Sequence, residues 1–311
     1  MIMQQPLALD AFARSPMAVP PLARDAAGAI DEAANAAIIA HLEAGGVDLL
    51  LYGGNAVFYH LPLHEYEPVL EMLARLPAAT TQVVPAVGPT YGLMMEHARL
   101  LRQHPFGTAM VLPHQGITTS SGVATGVRRF VEAAGIPALL YIKHEGFIEP
   151  EDAAVLCRDG LISAIKYAIV RDDPADDATL RKLVDLVDPA MVISGIGEQP
   201  AIVHLRDFGL GGFTTGCGCV APRLSVALRR AAAAGDWQEA ERIRTIFEPL
   251  EDLRNAISPI CVLHEAVAAA GIASTGPLLP LLDRVPAADR PAIAAAAKAL
   301  LAEDRSEATA G

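Results

Sequence analysis

Residues 161–168 read Leu-Ile-Ser-Ala-Ile-Lys-Tyr-Ala, an apolar run that admits a single lysine, Lys166, near its C-terminal end. A short run of this kind is the pattern of a buried strand. Lysine is rarely buried without a reason. Burial disfavours the ammonium and lowers the pKa of the amine, and a neutral amine attacks a carbonyl to form a Schiff base. The plainer alternative is a strand-end lysine whose stem is covered while its ammonium reaches water. A second run weighs against that alternative. Residues 138–143 read Ala-Leu-Leu-Tyr-Ile-Lys after Gly135, Ile136 and Pro137, and place Tyr141 about one strand-plus-helix unit before Lys166. Consecutive βαβ strands usually lie side by side, so Tyr141 and Lys166 are expected at neighbouring strand ends. A phenol beside an amine is a general acid and base suited to imine chemistry. By itself, Tyr141 would read as an ordinary core tyrosine.

Outward from these two runs, strand-like and helix-like segments alternate. Strands are expected at 17–19, 47–52, 82–87, 108–112, 138–141, 161–166, 191–194 and 212–215. Helical apolar spacing fills the intervals at 31–44, 63–76, 91–103, 121–134, 150–157, 176–186 and 200–208, with stop signals such as Gly45-Gly46 and Gly135. Eight βα units predict a parallel sheet closed into a (β/α)8 TIM barrel. A doubly wound open sheet is the alternative, but no G-x-G-x-x-G follows the first strand. After Pro222 only helical spacing remains, at 224–234, 237–248, 250–256, 260–270 and 291–301. The expected organisation is a barrel over 15–223 and a C-terminal helical bundle over 224–305, with 306–311 disordered.

Composition narrows the function. With 52% hydrophobic residues in 311, the chain has ample material for a large core. A formal net charge of −12 argues against a nucleic-acid or anionic-membrane partner. Residues 1–19 lack the basic segment and continuous apolar core of a signal peptide. The apolar runs are short and interrupted, so no membrane span is expected. Four cysteines are few for this length and fit a reducing, cytoplasmic location. Cys217-Gly218-Cys219 is not the usual zinc spacing, and neither metal nor cofactor is expected.

Barrel active sites lie at the C-terminal strand ends. The residues there are Gly53-Gly54-Asn55, Gly88, Pro113-His114-Gln115, Tyr141, Lys166, Gly195 and Thr214-Thr215. Glycines after strands let a ligand approach the backbone and expose N–H groups to an anion. One lysine, one tyrosine and several glycines converge on one mouth, which suits a Schiff-base enzyme better than a metal or phosphate enzyme.

This arrangement resembles the dihydrodipicolinate synthase and N-acetylneuraminate lyase family, over nearly the whole chain from about residue 17 to about residue 281. Val19-Pro20 with Asp31 looks like the family's opening strand and first helix. Ala164-Ile165-Lys166-Tyr167 looks like its G-I-K-E lysine strand, and Tyr141 like its catalytic tyrosine. Ser194-Gly195-Ile196 is similar to its S-G-D turn, 212–222 to its eighth strand and following turn, and 235–240 to a G-D-W-x-x-A stretch of its helical tail. The resemblance implies a class I lyase in which Lys166 forms an imine with a 2-oxo acid such as pyruvate. It also implies a homotetramer built from dimers. The chain departs from the family where Gly54 and Asn55 stand in place of a hydroxyl pair, His114-Gln115 in place of a relay tyrosine, and Gly146 in place of the synthase's arginine.

On this reading Tyr141 shuttles protons, while Gly53, Gly54, Asn55, Gly195 and Thr214 hold the substrate. His114 and Gln115, followed by hydroxyl residues at 118–121, face its distal end. Lys143 and Arg171 are the two cations that would receive an acid at that end. The expected substrate is a 2-keto-3-deoxy sugar acid, cleaved to pyruvate and an aldehyde or dehydrated. The competing possibilities are dihydrodipicolinate synthase proper, a non-catalytic relative that binds a 2-oxo acid, and a metal-dependent barrel.

Overall fold

Apolar runs buried on both faces pair as parallel strands because only helix-covered sheets shield both sides from water. Here eight such runs pair in sequence order and close on themselves: β1 (Met17–Ala18), β2 (Leu49–Tyr52), β3 (Gln82–Val87), β4 (Ala109–Val111), β5 (Ala138–Ile142), β6 (Ile162–Tyr167), β7 (Val192–Ser194) and β8 (Gly212–Thr215). β1 pairs with both β2 and β8, so the sheet has no free edge. The structure, a computed structural model, describes residues 4–310. Met1–Met3, where the segment read for a signal begins, and Gly311, the end of the expected disordered tail, lie outside the described residues.

A short helix the sequence did not suggest, α1 (Leu9–Arg14), precedes β1. The outer layer is α2 (Glu32–Ala44), α3 (Leu63–Arg75), α4 (Tyr91–Leu101), α5 (Ser120–Ala134), α6 (Pro150–Arg158), α7 (Ala178–Leu186), α8 (Ala201–Asp207) and α9 (Pro222–Ala233). Local chemistry sets their ends. The Asp31 carboxylate accepts the Ala34 N–H at 3.0 Å to cap α2, and Asp177 accepts the Leu180 N–H at 2.9 Å to cap α7. Pro150 opens α6, where a missing N–H costs nothing.

The tail continues with α10 (Trp237–Ala256), α11 (Pro259–Ala269) and α12 (Arg290–Ala310). Two expectations are corrected here. Pro249 does not divide 237–256 into two helices; α10 runs through it. The expected disordered end is helical to Ala310. Asp304 explains why α12 is held that far: its buried carboxylate accepts the Leu224 N–H at 3.0 Å and pairs with Arg223 at 3.2 Å. Among the described residues, no helix is long and apolar enough to cross a membrane.

Candidate active site

Strand alternation decides where Lys166 points. Tyr167, its neighbour, buries its ring toward the helical layer, where its hydroxyl donates to Asp177 at the start of α7 at 2.7 Å. Lys166 therefore turns to the barrel interior. β5 and β6 are in register with Tyr141 opposite Lys166, and Lys166 Nζ lies 3.8 Å from the centroid of the Tyr141 ring. Lys166 is 6% and Tyr141 7% exposed. Among the described residues no carboxylate forms an ion pair with Lys166. Burial, reinforced by the charges of Lys143 and Arg254, lowers its pKa to about 7. Burial pushes the Tyr141 phenol well above its usual range, so it stays protonated and able to donate.

Both groups line a cavity of about 230 Å³ at the C-terminal mouth of the barrel. Gly53, Gly54, Asn55, Gly195 and Thr214, all named from the sequence, line it too. The Asn55 carbonyl is 2.8 Å from Nε2 of buried His264 on α11, which ties the β2 loop to the helical tail. Thr214 donates to the Ser194 carbonyl at 3.3 Å. Gly195 is required by close approach: a Cβ there would sit 2.8 Å from the Tyr167 carbonyl oxygen and 2.9 Å from Lys166 Cγ.

The structure does not bring His114 and Gln115 to this cavity. Their loop is exposed, and His114 lines a separate, larger cavity of about 500 Å³ with Thr118, Thr119 and residues of α4 and α5. That cavity is mostly apolar and contains neither Lys166 nor Tyr141. A β4 loop longer than a tight turn leans over the outer helices, which strand position alone does not reveal. Arg171 is also absent from the Lys166 cavity. It is committed to Glu145 and to Asp177, the latter at 2.9 Å. Lys143 does line the cavity, and desolvation lowers its pKa even though its side chain reaches the solvent rim.

Sequence reasoning missed Arg254 and Tyr59, both of which line the cavity. Arg254 comes from α10 and is 7% exposed. Its Nε donates to the Pro259 carbonyl at 3.2 Å, and its Nη1 lies 3.9 Å from Cys217 Sγ and 3.8 Å from Glu251 Oε1. Glu251 accepts the backbone N–H groups of Glu198 and Gln199 at 3.1 and 2.7 Å. Glu198 accepts from Ser225 at 3.0 Å and from Thr215. Burial, and then the neighbouring Glu198, push the Glu251 carboxyl well above the ordinary carboxylate range. Glu198, Cys217 and Glu251 are the group of described side chains spaced closely enough for a metal. The Arg254 guanidinium already supplies positive charge there, and burial holds the Cys217 thiol protonated. That donor set suits the arginine better than an ion.

The chain is similar to proteins of known sequence and known structure. A 4-hydroxy-tetrahydrodipicolinate synthase from Laribacter hongkongensis is 26% identical over 253 residues, 78% of this chain and 84% of its own. A probable 5-dehydro-4-deoxyglucarate dehydratase from Streptomyces coelicolor is 22% identical over 224 residues, 68% of this chain and 69% of its own. The fold is shared with a prophage protein of the dihydrodipicolinic acid synthase family from E. coli K12, whose structure is a complex with pyruvate. That match has a TM-score of 0.80 at 20% identity and covers 92% of this chain and 98% of the other. The model of the dihydrodipicolinate synthetase family matches residues 15–300, and the chain belongs to that family.

Proposed function

We propose that the protein is a class I lyase that acts on a 2-oxo acid through an imine on Lys166. The observation that carries this reading is a buried lysine amine, depressed to about 7, 3.8 Å from a tyrosine ring in a cavity with no carboxylate to hold it charged. The neutral amine attacks the ketone carbon of the acid, and the carbinolamine loses water to give an iminium ion. Tyr141 donates a proton to the departing oxygen and later moves one at the carbon next to the iminium. The N–H groups of Gly54 and Asn55, with the Asn55 amide, hold the carboxylate of the substrate in place of a hydroxyl pair. The iminium then takes up the electron pair released when a C–C bond breaks or the 3-position proton leaves ahead of hydroxide. The named relatives, a synthase and a dehydratase, support both outcomes within this class.

The test is incubation with pyruvate and borohydride, followed by intact mass and peptide mapping. A reduced adduct on Lys166, absent in Lys166→Ala, is the expected result. An adduct on Lys143, or none, overturns the assignment. A panel of 2-keto-3-deoxy sugar acids against aspartate semialdehyde then identifies the reaction. Faster use of aspartate semialdehyde than of every sugar acid would return the chain to the synthase activity.

A further inference from the structure

The mouth of the barrel is unevenly charged. None of the residues that line the Lys166 cavity is an Asp or Glu, whereas Lys143 and Arg254 are basic and Lys166 becomes positive once it carries the iminium. Their placement is ordered by the barrel. Lys143 follows β5, next to the lysine strand β6 on one side. Arg254 lies against the end of β8, two strands away on the other side, because a Cβ at Gly216 would sit 2.4 Å from both Nη1 and Nη2. An imine-forming 2-oxo acid offers one carboxylate, and its iminium adds a positive charge on Lys166. With Lys143 and the Arg254 guanidinium beside that iminium, the residues lining the loaded site carry more positive than negative charge.

Arg254 is built as a ligand group rather than as filler. Nε and Nη1 are held by Pro259, Cys217 and Glu251, yet among the described residues Nη2 has no hydrogen-bond partner. Glu198 and Glu251 lie together behind it, and burial, then the neighbouring Glu198, pushes the Glu251 carboxyl well above the ordinary range. The contacts with Pro259, Cys217 and Glu251 fix the plane of the guanidinium, and Arg254 lines the cavity. A guanidinium presenting free N–H donors at fixed orientation is suited to a carboxylate.

We propose that Arg254 is a specificity-determining residue of this site and that the site takes a 2-oxo acid with a second carboxylate. The inference rests on the imine reading above and adds the substrate class. The carboxylate next to the ketone stays on the Gly54 and Asn55 N–H groups, and the distal one lies on Arg254 Nη2, with Lys143 at the β5 side of the mouth. The polar loop at 114–121 takes no part.

The test uses borohydride trapping as a binding measurement, with a pair of acids of equal chain length. These are 2-oxoglutarate, which has two carboxylates, and 2-oxopentanoate, which has one. The wild-type protein is expected to half-saturate with 2-oxoglutarate at a concentration at least about tenfold lower, the worth of one hydrogen bond between charged groups. Arg254→Gln is expected to erase that preference and Arg254→Lys to restore part of it, while both still trap 2-oxopentanoate. Since Arg254→Gln strips a buried carboxyl pair of its counter-charge, Gly216→Ala is the companion variant. It keeps every charge, adopts an ordinary helical backbone angle at φ −89°, and meets the guanidinium first, at 2.4 Å; it too is expected to lose the preference. Equal saturation by the two acids in wild type overturns the proposal and leaves the imine reading standing. So does a preference that survives in both Arg254→Gln and Gly216→Ala. No adduct with pyruvate or with either longer acid overturns both.

Discussion

Replacing Lys166 with methionine isolates the energetic consequence of burying its amine. The lysine pKa falls from the ordinary 10.5 to about 7 in the folded protein, chiefly through desolvation. The folded state then binds fewer protons than the unfolded chain between those two values, so stability rises with pH across that window and the deficit is complete below it. At about 1.36 kcal/mol per pH unit, the charged lysine costs the fold about 5 kcal/mol below pH 7. Methionine has a similar stem and does not titrate. Lys166→Met should therefore be more stable than wild type at neutral and mildly acid pH. Its advantage should shrink by about 1.4 kcal/mol per unit from about pH 7 to 10. Urea unfolding at fixed protein concentration, followed by circular dichroism at several pH values, reads the difference directly. The same titration governs imine formation. The rate of pyruvate trapping should climb about tenfold per pH unit below 7, where the amine is the minor form, and level off above it. A stability difference that stays constant across this range would refute the reasoning, as would a trapping rate still rising with undiminished slope at pH 9. Either would mean that Lys166 is an ordinary solvated ammonium.

Two further outcomes follow from the geometry and a third from the resemblance. Tyr141→Phe should still trap pyruvate but lose about a hundred- to ten-thousand-fold in turnover, the usual worth of a positioned acid–base group; a near wild-type kcat would assign the proton shuttle elsewhere. Gly195→Ala should abolish trapping with the fold intact by circular dichroism, because its Cβ would press on the Tyr167 carbonyl and on Lys166 Cγ at 2.8 and 2.9 Å; wild-type trapping would mean the strand end shifts freely. The resemblance to the family implies a homotetramer, and light scattering at micromolar concentration should find one; a monomer alone would remove that expectation.

Much of the architecture is written locally. The run 82–87 is apolar after Gln82 and shows no alternation, as a strand covered on both faces must be, and it appears as β3 with those bounds. Alternation with helices of amphipathic spacing leaves a parallel barrel as the economical solution. The pairing of Tyr141 with Lys166 is legible for the same reason. Consecutive βαβ strands become neighbours, and two residues near their C-terminal ends become a cross-strand pair. Where local signals mislead, a longer-range contact is the cause. Pro249 reads as a helix break, but it lies inside α10, whose buried Ile243, Phe247 and Leu250 hold that helix against its neighbours. Residues 306–310 read as a loose end, yet α12 runs through them from the Asp304 anchor on Arg223 and Leu224.

The charge of the site is what the tertiary structure decided. From the sequence, the polar loop at His114 and Gln115 is the expected partner of a hydroxylated distal end, with Lys143 and Arg171 the cations that would receive an acid there instead. Loop path and ion pairing separate them: Arg171 is taken by Glu145 and Asp177, His114 and Gln115 lean away, and Lys143 stays at the rim. Arg254 lies nearly ninety residues beyond Lys166, at the far end of a helix whose family-like stretch stops at Ala240. Its one trace in the sequence is its spacing: Ile243, Phe247, Leu250 and Arg254 share the buried face of α10, and an arginine on an apolar stripe needs a partner. That partner is the carboxyl group of Glu251, one turn earlier, backed by Glu198 from the loop after β7. Hydrophobic periodicity tells the chain which faces to bury, and so the sequence by itself determines the barrel and the strand that carries the lysine. Which charges meet around that lysine depends on contacts between segments far apart in the chain, and only the folded protein sets them.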